Sequence, residues 1–125
     1  MLGIVVTTEK TMYKKDFPEP LFQSLQEVVG GYVEHVTPMF LENPFCVLIN
    51  EEGKLKQLPI NLIGSMWYGP FDVIVGDIVV MKDGYVDGER DIVGLTDKEC
   101  LRIIGMVSEM SQGRYRLLDM EGAAK

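Results

Sequence analysis

The sequence predicts an α+β fold: a mainly antiparallel sheet with two main helices packed on it. Short apolar runs rich in β-branched residues recur along the chain, which is typical of strands. Two other segments carry apolar residues at helical spacing. No internal repeat or linker divides them, so residues 1–125 are expected to form a single domain. Its tail, about residues 119–125, is expected to fray.

The first third of the chain predicts a hairpin followed by a helix. Residues 2–7 are an apolar run and residues 12–15 a second short strand. Pro18 and Pro20 then precede an amphipathic segment that stops at Gly30 and Gly31. Residues 32–36 alternate and predict the next strand.

A central hairpin is the feature around which the rest of the prediction is arranged. Residues 46–49 are consecutively apolar, which fits a strand buried on both faces. Residues 50–54 predict a turn in which Gly53 adopts positive φ, and residues 55–58 predict the returning strand, ending at Pro59. The turn tip, with Glu51, Glu52 and Lys54, is a candidate interaction surface, although solvated turn chemistry is the simpler explanation.

The second half predicts a short helix, a long strand and a long helix. Residues 61–69 have helical spacing, and Asn61, Trp67 and Tyr68 form a candidate pocket, with Trp67 as a core anchor the simpler alternative. Residues 71–81 predict either one strand bent at Gly76 or two strands that meet there at a tight turn, and the bend is favoured. Residues 85–86 and 92–93 predict a short ribbon.

Thr96 and Glu99 form a capping-box pattern that predicts a helix to Gly113, with a weak continuation over residues 114–118. Polar residues of the first helix, Ser24 among them, are expected to face water, and Leu62 and Met66 are expected on one apolar face with Trp67. The predicted core consists of Leu25, Val29, Val47, Ile49, Ile74, Val79 and Ile104.

Several segments resemble domain-of-unknown-function family 3846, whose members are small proteins of bacteria, phages and mobile elements. The similar segments are Leu25-Gln26, Val29-Gly30-Gly31-Tyr32-Val33-Glu34, Asn50-Glu51-Glu52-Gly53-Lys54, Leu58-Pro59-Ile60-Asn61 and Ile74-Val75-Gly76. The family-like part covers about residues 19–100. Leu62 and Gln57 depart from the family pattern, which often has arginine and glycine there. The resemblance implies a compact α+β fold and no particular activity.

Charge and composition exclude several classes of function. The 12 basic and 19 acidic residues give a net charge of −7, which opposes direct binding to nucleic-acid phosphates and favours a basic protein partner. The start of the chain lacks a secretion-signal pattern, and no apolar run reaches membrane-span length. The two cysteines lack metal-site spacing. A cytoplasmic protein without cofactors is expected, and its oligomeric state is left open.

Motifs for catalysis and metal binding are incomplete in this sequence. The acidic stretch from Asp83 resembles a calcium loop but has Tyr85 and Gly94 at ligand positions, so no metal site is predicted there. His35 is the single histidine and is interpreted as a surface residue. No nucleophile motif surrounds Cys46 or Cys100, and no nucleotide-binding glycine pattern is present.

Two hypotheses about function follow from these observations. The first is a small acidic interaction protein, for example of a phage or mobile element, that acts as a decoy for a nucleic-acid-binding protein of its host. The second is a small-molecule-binding or enzymatic domain using the pocket at Asn61, Trp67 and Tyr68. The absence of a catalytic motif favours the first.

Overall fold

In the computed structural model, which describes residues 1–119, a seven-stranded mixed sheet lies between helices on both faces. The strands are β1 (Leu2–Val6), β2 (Thr11–Asp16), β3 (Val33–Val36), β4 (Phe45–Asn50), β5 (Ile78–Val86), β6 (Glu89–Val93) and β7 (Arg116–Leu117). The helices are α1 (Leu21–Val29), α2 (Leu62–Tyr68) and α3 (Asp97–Met110). The predicted α+β class is confirmed, with the short helix α2 beside the longer helices α1 and α3 and one parallel strand pair in the sheet.

The sheet order is β3-β4-β5-β1-β2-β7, with β6 also paired to β5. All neighbours are antiparallel except β2 and β7, which run parallel. Residues 114–118 were predicted as a weak continuation of the last helix. Instead α3 ends at Met110, and β7 forms there because the amide of Arg116 donates to Lys10 and that of Leu118 to Met12.

Two hydrophobic clusters fill the two faces of the sheet, because successive strand residues point to opposite sides. One cluster joins Val47 and Val80 to Ile63 of α2 and Ile103 of α3. The other joins Leu48, Val79 and Met81 to Leu25 and Val29 of α1. Of the predicted core residues, Leu25, Val29, Val47, Ile74 and Val79 are buried, whereas Ile49 and Ile104 are half-buried at its margin.

The end of α1 and the start of α3 lie at the glycine and at the capping box that the sequence predicted. Gly30 ends α1 with φ 84°, and the side chain of Thr96 and that of Glu99 form the predicted capping box of α3. Ser24, expected to face water, is buried, because its hydroxyl donates to the carbonyls of Pro18 and Leu21. Leu62 and Met66 are half-exposed, while Trp67 of the same helix is buried.

The central hairpin was predicted wrongly. β4 pairs with β3 and β5, and residues 51–57 form consecutive turns, so residues 55–58 are not a strand. The positive φ in this segment belongs to Gln57, at 55°, and not to Gly53. The neighbours of β4 are β3, which precedes it in the chain, and β5, which follows α2, so the residues directly after β4 form no strand.

The predicted long strand over residues 71–81 is also corrected. Gly76 has φ 83° and separates two segments of different structure. Before it, Val75 forms a single bridge with Ile60, and after it β5 begins at Ile78 and runs to Val86. β5 and β6 then form a hairpin whose turn is Asp87-Gly88, both at positive φ, as a two-residue turn of this type requires.

No helix of the described residues has the length and apolarity that crossing a membrane requires. The end of the predicted frayed tail, residues 120–125, lies outside the described residues.

Candidate functional site

A cleft on the α2 and α3 side of the sheet contains the predicted turn tip. Its floor is made by Glu34 and Val36 of β3 and Ile49 of β4. Residues 50–55 form one wall, and Tyr68 with residues 72–75 forms the other. Glu51, Glu52 and Lys54 therefore line one cleft together with Tyr68, a residue of the candidate pocket.

The first wall of the cleft is held in place by Asn50. Its side chain is buried and donates to the carbonyl of Val29 at 3.0 Å, while its Oδ1 accepts from the amide of Glu52 at 2.8 Å. The amide of Glu51 donates to the carbonyl of Tyr32 at 2.8 Å. These bonds tie the turn to the end of α1 and to the residue before β3, so the acidic residues at its tip have a fixed backbone.

The cleft is acidic. Four carboxylate side chains line it, against one ammonium group from Lys54. Lys54 Nζ contacts both carboxylate oxygens of Asp72 and bridges the two walls. Hydrogen bonds from Lys54 and from the amide of Val73 hold the pKa of Asp72 below its usual value. Three negative charges in the cleft, those of Glu34, Glu51 and Glu52, are left without a cation among the lining residues.

The rest of the candidate pocket does not open into this cleft. Asn61 is fully buried; its Nδ2 donates to the carbonyls of Val6 and Gly76, and its Oδ1 accepts from the amide of Gly64 as the cap of α2. Trp67 is 2% exposed and belongs to the core. These contacts give both residues a structural role.

A second cluster lies on the opposite face of the sheet and was missed by sequence reasoning. His35 Nε2 lies 2.7 Å from Asp83 Oδ1, and Arg90 Nη2 donates to Asp83 Oδ2 at 3.0 Å. The thiol of Cys46 completes the group, since its Sγ lies within 4.8 Å of the nearest ligand atoms of His35 and Asp83. Strand pairing brings these residues together, and no motif within one segment of the sequence predicts the cluster.

The environment sets the protonation of this cluster. Burial, together with the charge of Asp83 and a hydrogen bond to it, raises the pKa of the Cys46 thiol to about 12. Burial alone would raise the pKa of Asp83, but the hydrogen bonds from His35 and Arg90 outweigh it and hold that pKa below its usual value. Without a further cation, Cys46 is therefore a neutral thiol and a poor nucleophile.

Fold and sites together define a small α+β domain with an acidic cleft on one face of its sheet and a histidine, cysteine and aspartate cluster on the other. The chain belongs to the DUF3846 family, a domain of unknown function, whose model matches residues 1–108. The match begins earlier than the resemblance, which started at about residue 19. Neither the curated proteins nor the solved structures yield a match to this chain.

Proposed function

We propose that this protein is a binding module that holds a lysine- and arginine-rich segment of a protein partner in the acidic cleft. The observation that carries the proposal is the excess of carboxylates on a fixed backbone around a partly apolar floor. A net charge of −7 over the whole chain acts in the same direction and favours rapid encounter with a basic surface.

The size of the cleft favours a partner side chain over a small-molecule ligand. Its volume is about 190 Å³. Small-molecule sites are commonly about 300–1,000 Å³ and largely apolar. Half-buried Val36, Ile49 and Tyr68 can cover the alkyl stem of a lysine or arginine while the carboxylates bind its charged end.

Proteins that bind nucleic-acid phosphates carry such basic segments. The proposed partner is therefore a protein of that class, bound in competition with nucleic acid. This role is compatible with the phage or mobile-element origin that the family resemblance implies.

The proposal is tested by fluorescence anisotropy with a labelled oligoarginine peptide as the probe. The cleft variant carries Glu34→Gln, Glu51→Gln and Glu52→Gln, and the control carries Glu9→Gln, Glu27→Gln and Glu89→Gln. Each variant removes three exposed or half-exposed carboxylates, so both have a net charge of −4 in place of −7. We expect the cleft variant to lose about tenfold or more in affinity and the control to lose much less.

A single substitution tests whether removing a positive charge from the cleft raises its affinity for the peptide. Lys54→Gln removes the ammonium group that occupies Asp72, so the peptide should bind more tightly than to the parent. Equal losses in the two triple variants would show that the peptide responds to overall charge and not to the cleft. Weaker binding to Lys54→Gln would also contradict the proposal, because removing this positive charge should favour a basic peptide.

A further inference from the structure

Three neighbouring strands each contribute one side chain to the same place on the α1 face of the sheet. These are His35 from β3, Cys46 from β4 and Asp83 from β5, and their ligand atoms lie within 4.8 Å of one another. β4 pairs with both of the other strands. The three positions are therefore fixed by sheet hydrogen bonds, and bringing the groups together costs no loop ordering.

The donor atoms are those that zinc and related dications bind. Imidazole nitrogen, thiolate sulfur and carboxylate oxygen bind Zn²⁺ at about 2.0–2.3 Å, and tetrahedral geometry then places the donors about 3.5 Å apart. The observed separations lie on both sides of that value, from the 2.7 Å between His35 and Asp83 up to the 4.8 Å limit. Calcium and magnesium prefer oxygen ligands alone, so this set discriminates against them.

We propose that His35, Cys46 and Asp83 form a binding site for a single zinc-like transition-metal dication. This site is separate from the acidic cleft, which lies on the other face of the sheet. The acidic stretch that starts at Asp83 fails as a calcium loop because of its spacing, but the same aspartate is a ligand here together with residues from two other strands.

The surroundings of the cluster allow a metal to enter and to complete its coordination. An open depression exposes His35 and Asp83 to solvent between Thr37, Arg90 and Asp91, while Cys46 lies buried beneath them. Water from this depression can take the fourth coordination position. The Arg90 side chain is 64% exposed and is held at Asp83 by one hydrogen bond of 3.0 Å, so it can turn into solvent when the metal takes the carboxylate.

Binding must change the protonation of the cluster. The Cys46 thiol loses its proton to solvent as the sulfur–metal bond forms, so about one proton is released for each metal bound. The alternative is that the four side chains are a closed hydrogen-bonding network, in which Asp83 accepts from Cys46, His35 and Arg90. Such a network has no affinity for a metal, and the two alternatives give opposite results in a titration.

The test is a titration of the chelator-treated protein with Co²⁺, followed by optical absorption, and with Zn²⁺ in competition with a chromophoric chelator. We expect saturation at about one metal per chain and a thiolate-to-cobalt charge-transfer band. His35→Ala should weaken binding by about 100-fold or more, since even removing a group that only orients a ligand costs about 10- to 100-fold. His35 is part-exposed at 36%, so this variant should keep the fold, which circular dichroism checks.

Two control variants locate the site. Cys100→Ala removes the other buried cysteine and should leave the cobalt band and the affinity unchanged. The cleft variant with Glu34→Gln, Glu51→Gln and Glu52→Gln should also bind metal like the parent. Absence of the charge-transfer band, unchanged affinity in His35→Ala, or loss of affinity in the cleft variant would each overturn the proposal.

Discussion

Gly53 lies where the turn at the cleft approaches the segment before β5. A Cβ added to Gly53 would lie 2.8 Å from Cγ2 of Val75 and 3.4 Å from the carbonyl oxygen of Asn50. We therefore expect Gly53→Ala to lower the free energy of unfolding by about 1–3 kcal/mol, the usual cost of overpacking. Urea unfolding measures this change, and the double variant with Val75→Ala should recover much of the loss.

The charged neighbours of Gly53 provide the matched control. Glu51, Glu52 and Lys54 are exposed or half-exposed, so a triple alanine variant should lose less than about 1 kcal/mol. If that variant lost several kcal/mol while Gly53→Ala lost none, the close approach to Val75 would not matter. The sequence singled out Gly53 for its backbone freedom, but the reason lies in a contact with a residue distant in the chain, which no local pattern contains.

The same limit applies to the His35, Cys46 and Asp83 cluster. Each residue was considered separately in the sequence: His35 as a surface histidine, Cys46 as a buried thiol, and Asp83 as the start of a failed calcium loop. Their proximity depends on which strands are neighbours and in which register. Strand order is a tertiary property, and periodicity within one strand does not encode it.

At the scale of elements, the start of α3 gives a prediction about pH. Glu99 accepts from Lys82 Nζ at 2.7 Å and from the amide of Thr96 at 2.9 Å. Burial alone would raise the pKa of Glu99, but these bonds outweigh it and lower that pKa below its ordinary value of 4.5. A carboxyl with a lowered folded-state pKa stabilises the protein above its unfolded-state pKa, and this stabilisation is lost as the pH falls through the folded-state value.

We therefore expect Glu99→Gln to unfold more easily than the parent at neutral pH, by about 1 kcal/mol, and the difference to disappear in acid. Urea unfolding at about pH 6–7 and about pH 3 makes the comparison. Glu89→Gln, which removes an exposed carboxyl from β6, should follow the parent at both. A Glu99→Gln deficit that stayed constant with pH would mean that the ionised carboxylate is not the stabilising group.

Local chemistry predicted the helices better than the sheet. The capping box of α3 and the proline and glycine around α1 act within one turn of the chain, so the sequence pattern contains them. The Asp87-Gly88 turn is equally local, and the short ribbon predicted for residues 85–86 and 92–93 lies within the β5–β6 hairpin that this turn joins. The pairing of β4 with β5 and of β7 with β2 joins distant segments and could not be predicted in this way.

For the whole molecule, charge predicts that duplex DNA is not bound directly at physiological salt. Acidic residues exceed basic ones by 19 to 12. Among residues 1–119, the side chains of several basic residues are paired with carboxylates, including Lys14, Lys54, Lys82, Arg90 and Arg102. A filter-binding assay should therefore give no retention. Retention that falls steeply with added salt would indicate a phosphate-binding surface and would contradict the expectation.

The position of β5 determines the order in which this sheet can assemble. The strands β1 and β2 form one pair and β3 and β4 another, and each pair is local in the chain. β5 is the strand that joins them, because it pairs with both β1 and β4. During synthesis the two hairpins precede the strand that unites them, so cooperative folding must wait until β5 is available. The amides of β5 should then be among the slowest to exchange with solvent, since opening them separates the two halves of the sheet.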